Sequence, residues 1–187
     1  MDDKDTGCVD GMSIVLSTGA LFSLTKPDPA QITFRVIGEA LGKICRFGAQ
    51  CPEFYSVAEH SVLCARLALE DGQPWKACRA VLMHDAAEAF VGDMIRPIKR
   101  SLPSYRVIEH RIKYAIWDKF ELDDSPDLRE EIALYDNTML RSEQECFWPG
   151  ATPWPGLENY PCKPKLIRCL SPQEASREFL SWEWILQ

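Results

Sequence analysis

Between Val81 and Lys99 the chain reads V-L-M-H-D-A-A-E-A-F-V-G-D-M-I-R-P-I-K, with an adjacent His84-Asp85 pair inside an apolar run. Side by side, an imidazole and a carboxylate offer one divalent ion a nitrogen and an oxygen donor. Neighbouring helical residues diverge by about 100° around the axis, so other elements must complete the coordination shell. The chain has three histidines, His60, His84 and His110. His60 and Asp136 are the candidate further donors. Ile132 and Leu140, one turn either side of Asp136, aim its carboxylate inward, where it needs a partner. Asp127, Glu130 and Glu131 sit near a helix start, where acids are ordinary, and His110, between Glu109 and Arg111, reads as a surface residue. The set His60, His84, Asp85 and Asp136 is a mixed nitrogen and oxygen site. It suits cobalt, manganese, zinc, nickel or iron better than calcium.

Glu88 follows His84 and Asp85 by one turn and leans over such a metal without having to bind it. That is the place of a general acid or base, and Asp93 in the next turn could assist a water or a substrate hydroxyl. Arg96 and Lys99 follow, and could contact phosphate or form a solvated face. Arg46 has two readings of the same kind: an anion ligand, or a cation satisfying carbonyls at a helix end.

These residues need helices to position them. Ile14 to Leu24 reads as an extended lead-in broken at Gly19, with a short hairpin as its natural form. Apolar spacing predicts a first helix from Ile32 to Ile44, ended by the Gly48 to Pro52 stretch. Ser56 is the expected N-cap of a second helix, with Glu59 placed as in a capping box and His60 in its first turns. A third helix is expected from Trp75 to Phe90, carrying His84-Asp85 and ended by Gly92. Further helices are expected over about Ser104 to Phe120 and Asp127 to about Glu145. A Trp- and Pro-rich loop from Phe147 then covers the core, and a last helix begins at the Ser171-Pro-Gln-Glu174 cap. The six tryptophans, four of them after residue 147, read as core and loop packing.

With 187 residues, 46% hydrophobic and 26% charged, the chain is long enough for one well-packed domain, expected over 14–187 after a flexible N-terminus at 1–13. Net charge is −7, from 21 basic and 28 acidic residues, which disfavours nucleic-acid polymers and anionic membranes. No apolar run approaches the roughly 20 residues of a membrane span, and Met1-Asp-Asp-Lys-Asp lacks the features of a signal peptide. The eight cysteines are scattered, without C-x-x-C, and read as reduced thiols. A soluble, cytoplasmic protein is expected.

The pattern H…HD…D, as His60, His84-Asp85 and Asp136, resembles the HD-domain metal-dependent phosphohydrolases. Within them it is most similar to the small nucleotidase branch of bacterial 5′-deoxynucleotidases and phage deoxynucleoside triphosphohydrolases. The stretches C-R-F-G at Cys45 to Gly48, F-Y-S-V-A-E-H-S-V at Phe54 to Val62 and D-M-I-R-P-I-K at Asp93 to Lys99 carry the likeness, which runs from about Thr18 to Arg141. The resemblance implies an all-α HD-domain helical bundle, hydrolysis of a small nucleotide by a metal-activated water, and assembly as a dimer or higher homo-oligomer. It gives Arg46 the role of phosphate ligand, and Glu88 and Asp93 that of acting on the water. Phe47 stands where relatives selective for deoxyribose carry Trp beside the sugar 2′ position, so strict sugar selection does not follow. Both a monophosphate nucleotidase and a triphosphohydrolase, including one acting on dATP, fit this reading. A catalytically silent HD module that binds a nucleotide or a partner protein is the alternative.

Overall fold

Alternating apolar residues and Gly19 fold the lead-in into a two-stranded antiparallel hairpin. A computed structural model describes residues 12–186 and pairs β1 (Ser13–Val15) with β2 (Leu21–Ser23), Ile14 opposite Phe22. Gly19 takes φ 81°, a left-handed turn conformation that costs glycine little. Phe22 is fully buried and its ring stacks on Phe90 at 4.6 Å, pinning the hairpin to the helices. Of the expected flexible N-terminus, residues 1–11 lie outside the described residues.

Among the described residues the rest is mainly α-helical, with eight α-helices. The first, α1 (Phe34–Leu41), starts at the Thr33 side-chain cap and stops at Gly42, shorter at both ends than the apolar spacing suggested. Arg46 therefore lies beyond it, in a separate 3-10 turn (Arg46–Ala49) in which Phe47, Gly48 and Ala49 all take positive φ. Cys45 pairs with Ser56 across the neck of this loop, and the Arg46 N–H donates to the Tyr55 carbonyl at 2.9 Å.

Helix α2 (Val57–Glu70) is buried over most of its circumference and packs against α3 (Trp75–Leu82), α7 (Pro126–Phe147) and α8 (Pro172–Leu180), so it is the axis of the fold. Ser56 caps it as expected, accepting from the Glu59 N–H at 3.1 Å. The reciprocal half of the expected capping box is absent. The buried Glu59 carboxylate instead accepts the N–H groups of Arg168 and Leu170, each at 2.8 Å, and ties the segment before the last helix to α2.

The expected helix from Trp75 to Phe90 is two pieces, α3 (Trp75–Leu82) and α4 (Glu88–Val91). Residues 83–87 between them form turns, with hydrogen bonds such as Ala86 N–H to the Met83 carbonyl and Glu88 N–H to the Asp85 carbonyl. Intrinsic propensity favours continuous helix here, but the i to i+3 bonds wind the chain more tightly and let His84 and Asp85 turn to one side. Next come α5 (Arg96–Ser101), which is not among the expected helices, and α6 (Pro103–Lys119). The long α7 (Pro126–Phe147) follows, capped by Ser125. The last, α8 (Pro172–Leu180), has the full Ser171/Glu174 capping box. One buried apolar cluster extends from Leu16 through α1, α2, α3, α6 and α7 to Ile185. Among the described residues no helix is long and apolar enough to cross a membrane.

Helices α1 and α8 meet closely at Gly42, where an added Cβ would stand 2.0 Å from Ser176 Oγ and 2.8 Å from the Pro172 carbonyl. Overpacking of this kind costs about 1–3 kcal/mol. Gly42→Ala is expected to lower the urea-unfolding free energy by that amount, with the far-UV spectrum at zero urea unchanged.

Candidate metal centre

His60 is fully buried on α2, and its ring is oriented by a carboxylate two turns beyond Asp136 on α7: Nδ1 lies 2.6 Å from Glu143 Oε1. His84 is oriented by backbone, with Nδ1 2.7 Å from the Val81 carbonyl. Each Nδ1 faces an acceptor and so donates, leaving Nε2 as the free donor atom of each ring, the usual second arrangement behind a metal-binding histidine. The two Nε2 atoms are 3.3 Å apart. Two lone pairs held face to face call for a cation or a proton. Burial and Arg46 oppose a proton on His60, but Cys64, Glu143 and Asp136 outweigh them and lift its pKa well above the ordinary value.

Carboxylates close around this pair. Asp85 Oδ2 is 3.1 Å from His84 Nε2 and 3.8 Å from His60 Nε2, and Asp136 Oδ1 is 3.3 Å from His60 Nε2. Burial disfavours both charges, yet the neighbouring histidines overcome it. Asp85, next to Arg46 as well, is held far below the usual carboxylate range, and Asp136 falls to about 2. Cys64, one turn after His60, adds a buried thiol 3.6 Å from His60 Nε2, and donor atoms of His60, Cys64 and His84 all lie within 4.8 Å of one another. The donor set and the committed Nδ1 atoms fit a divalent metal.

Glu143 holds the arrangement from behind. Fully buried, it also accepts from Tyr55 Oη at 2.9 Å and from Arg46 Nη2 at 3.1 Å. Burial pushes its pKa up, but Arg46, His60 and the Tyr55 bond outweigh this and keep it ionised. The other arm of Arg46 reaches Asp85 Oδ2 at 3.5 Å. Arg46 is thus a buried cation between two carboxylates, with none of the helix-end carbonyl contacts of its other reading.

A cavity of about 590 Å³ opens over the centre, and it brings together Arg46, Phe47, Asp85, Glu88, Asp93, Arg96, Lys99 and Asp136. The two histidines lie behind this lining. Arg96 donates to Asp136 Oδ2 at 3.0 Å, and Lys99 pairs with Glu109 of α6. Glu88 is 6% exposed, and among the described residues its Oε2 has no hydrogen-bond partner. Burial, Asp85 and Asp93 raise its pKa well above the carboxylate range against the pull of Arg46 and Lys99, and burial also raises Asp93. His110 is exposed on α6, away from this lining.

The lining also has an apolar part that includes Ile95, Leu140, Trp154 and Leu157. Trp154 packs near Phe47 at 5.9 Å and Trp148 at 5.7 Å and stays 36% exposed. The Trp- and Pro-rich loop is therefore a cavity wall as well as a cover for the core. Sequence reasoning passed over Glu143, Tyr55, Cys64 and Trp154. A seven-residue step from Asp136 and a four-residue step from His60 would have put Glu143 and Cys64 on the site-facing sides of their helices.

Fold and site together define a mainly α-helical protein with a buried histidine, carboxylate and thiol cluster able to hold a metal ion beneath an arginine-lined cavity. The chain belongs to the family of YfdR, an uncharacterized protein of Escherichia coli (strain K12). It is 34% identical to that protein over 145 residues, 77% of this chain and 78% of YfdR. It is also 33% identical over 112 residues to an uncharacterized protein of Rhodobacter capsulatus, the match covering 56% of each chain. No family model matches the chain.

Two stability measurements probe this electrostatic frame. Glu143→Ala breaks a buried ion pair and leaves Arg46 with Asp85 alone, a kind of loss that costs about 3–5 kcal/mol, and is expected to lower the thermal midpoint far more than Glu145→Ala does. Glu88 binds its proton more tightly folded than unfolded, so its ionisation opposes folding, and stability falls as pH rises through its raised pKa. Asp136 acts in the other direction. Its contribution is present above its unfolded pKa of about 3.9 and is lost as pH falls toward about 2. In chelator, Glu88→Gln is expected to exceed wild type in urea midpoint at pH 8 and to match it at pH 4.

Proposed function

We propose that this chain is a metal-dependent phosphohydrolase of the HD-domain type, acting on a small nucleotide. The observation that carries the reading is the facing pair of Nε2 atoms of His60 and His84, flanked by Asp85 and Asp136 and opening onto a cavity that also holds Arg46 and Glu88, whose Oε2 has no hydrogen-bond partner among the described residues. His60, His84, Asp85 and Asp136 would hold the ion. A divalent metal there supplies a Lewis acid for a phosphoryl oxygen and brings the pKa of a water toward neutrality.

The remaining chemistry falls to the chain's own side chains. Glu88, with its pKa lifted by burial, is a stronger base than a solvated carboxylate and is placed to orient the attacking water and take its proton, with Asp93 beside it. Arg46, held rigid by Glu143, faces the cavity as a fixed positive charge for the phosphate, where its preorganisation favours charge developing in the transition state. Arg96 and Lys99 stand at the rim and can exchange their carboxylate partners for substrate phosphates. The apolar wall with Trp154 and Leu157 suits the nucleoside end, and Phe47 next to Arg46 would lie nearest the sugar. Assembly as a homo-oligomer belongs to the same reading.

A panel of nucleoside mono-, di- and triphosphates with added manganese, cobalt or zinc is expected to release phosphate from one phosphate class, which separates a nucleotidase from a triphosphohydrolase. Asp85→Ala is expected to lose metal and turnover together. Glu88→Gln should keep the metal and lose about 10²- to 10⁴-fold in rate. Background release across the whole panel would instead favour a silent binding module.

A further inference from the structure

Cys64 lies one turn after His60 on the same face of α2, fully buried. Its surroundings differ from those of the other fully buried cysteine among the described residues. Cys78 faces the Gln73 carbonyl at 3.6 Å, as a small buried residue does, whereas Cys64 Sγ stands between the Tyr135 carbonyl and His60 Nε2, 3.6 Å from each. Tyr135 directly precedes Asp136, so the thiol sits where α2 and α7 bring their donors together.

Two of the three spacings among these donors match the edges of a tetrahedral site, and the third, between His84 and Cys64, lies within 4.8 Å. Metal distances of about 2.05 Å to nitrogen and about 2.3 Å to sulfur give a tetrahedron with edges of about 3.3 Å between nitrogens and about 3.6 Å from nitrogen to sulfur. The corresponding separations are 3.3 Å from His60 Nε2 to His84 Nε2 and 3.6 Å from His60 Nε2 to Cys64 Sγ.

Resting on the metal reading above, we propose that Cys64 is a thiolate donor to this centre alongside His60 and His84, so that the site takes zinc or cobalt in preference to manganese or magnesium. Soft thiolate favours such ions, whereas an all-oxygen and imidazole shell leaves manganese competitive. Ligation replaces the S–H bond with a sulfur–metal bond and releases one proton to solvent.

The test uses the full chain, stripped with chelator and reloaded with one equivalent of zinc or cobalt(II). Zinc-edge X-ray absorption of the wild type is expected to show one sulfur at about 2.3 Å with nitrogen and oxygen at about 2.0–2.2 Å. The cobalt form is expected to show a thiolate-to-metal charge-transfer band in the near ultraviolet. Cys64→Ser should lose both signals and most of the zinc-over-manganese preference while keeping its helical circular dichroism. Wild type alkylated under native conditions, which blocks accessible thiols and spares Cys64, should keep both, and this arm decides the matter even if Cys64→Ser fails to fold. Bound metal with only nitrogen and oxygen neighbours, or a sulfur signal lost on native alkylation, would overturn the thiolate and leave the metal centre standing. Failure to bind either ion would remove both.

Discussion

A carboxylate with no solvent must find donors, and Glu143 finds three: the His60 ring, the Tyr55 hydroxyl and the Arg46 guanidinium. That requirement sets much of the geometry around it. It fixes which nitrogen of His60 is left for a metal, and it draws the Arg46 turn against α7. It also holds a cation at the cavity floor that would otherwise be expensive to bury. Helices α2 and α7 and the loop between α1 and α2 are thereby locked in one relative placement. Asp136, two turns from Glu143 on the same helix, is delivered to the opposite nitrogen of the same imidazole.

The site also concentrates local costs. Phe47 and Ala49 take the left-handed backbone region at φ 59° and 61°, an uncommon conformation for residues with a Cβ. Glu88 is buried with an oxygen that has no partner among the described residues. Both features border the cavity, and both run against stability. They persist because the surrounding structure holds them, through the Cys45 and Ser56 pairing at the neck of the loop and the fully buried residues Met83 and Ala86 before Glu88.

Much of this was legible in the sequence where one face of an element is apolar. The amphipathic spacing located α1, α2, α6, α7 and α8 to within a few residues, and the Ser171 cap was readable outright. The break between α3 and α4 was not, because V-L-M-H-D-A-A-E-A-F is rich in Ala, Leu, Met and Glu and has no Gly or Pro to interrupt a helix, and only the packing around His84 and Asp85 demands a tighter turn. Glu143 stayed hidden for the opposite reason. In Arg141-Ser-Glu-Gln-Glu145 an acid looks like solvated helix surface, and only the long-range meeting with Arg46 and His60, 97 and 83 residues away in the chain, gives it a buried role. Glu59 was misread likewise, as a local cap, when its partners lie more than 100 residues along.

Next to Glu143 on α7 stands Gln144, whose side-chain amide donates to the Thr152 carbonyl at 2.6 Å and accepts from the Trp154 N–H at 3.0 Å. Adjacent residues of one helix grip the floor of the cavity and its apolar part. The end of α7 thus links the two: a rotation that moved Glu143 against His60 would also shift the bed of Trp154. Changes made to the Trp154 side of the cavity would therefore register at His60, one of the candidate metal donors.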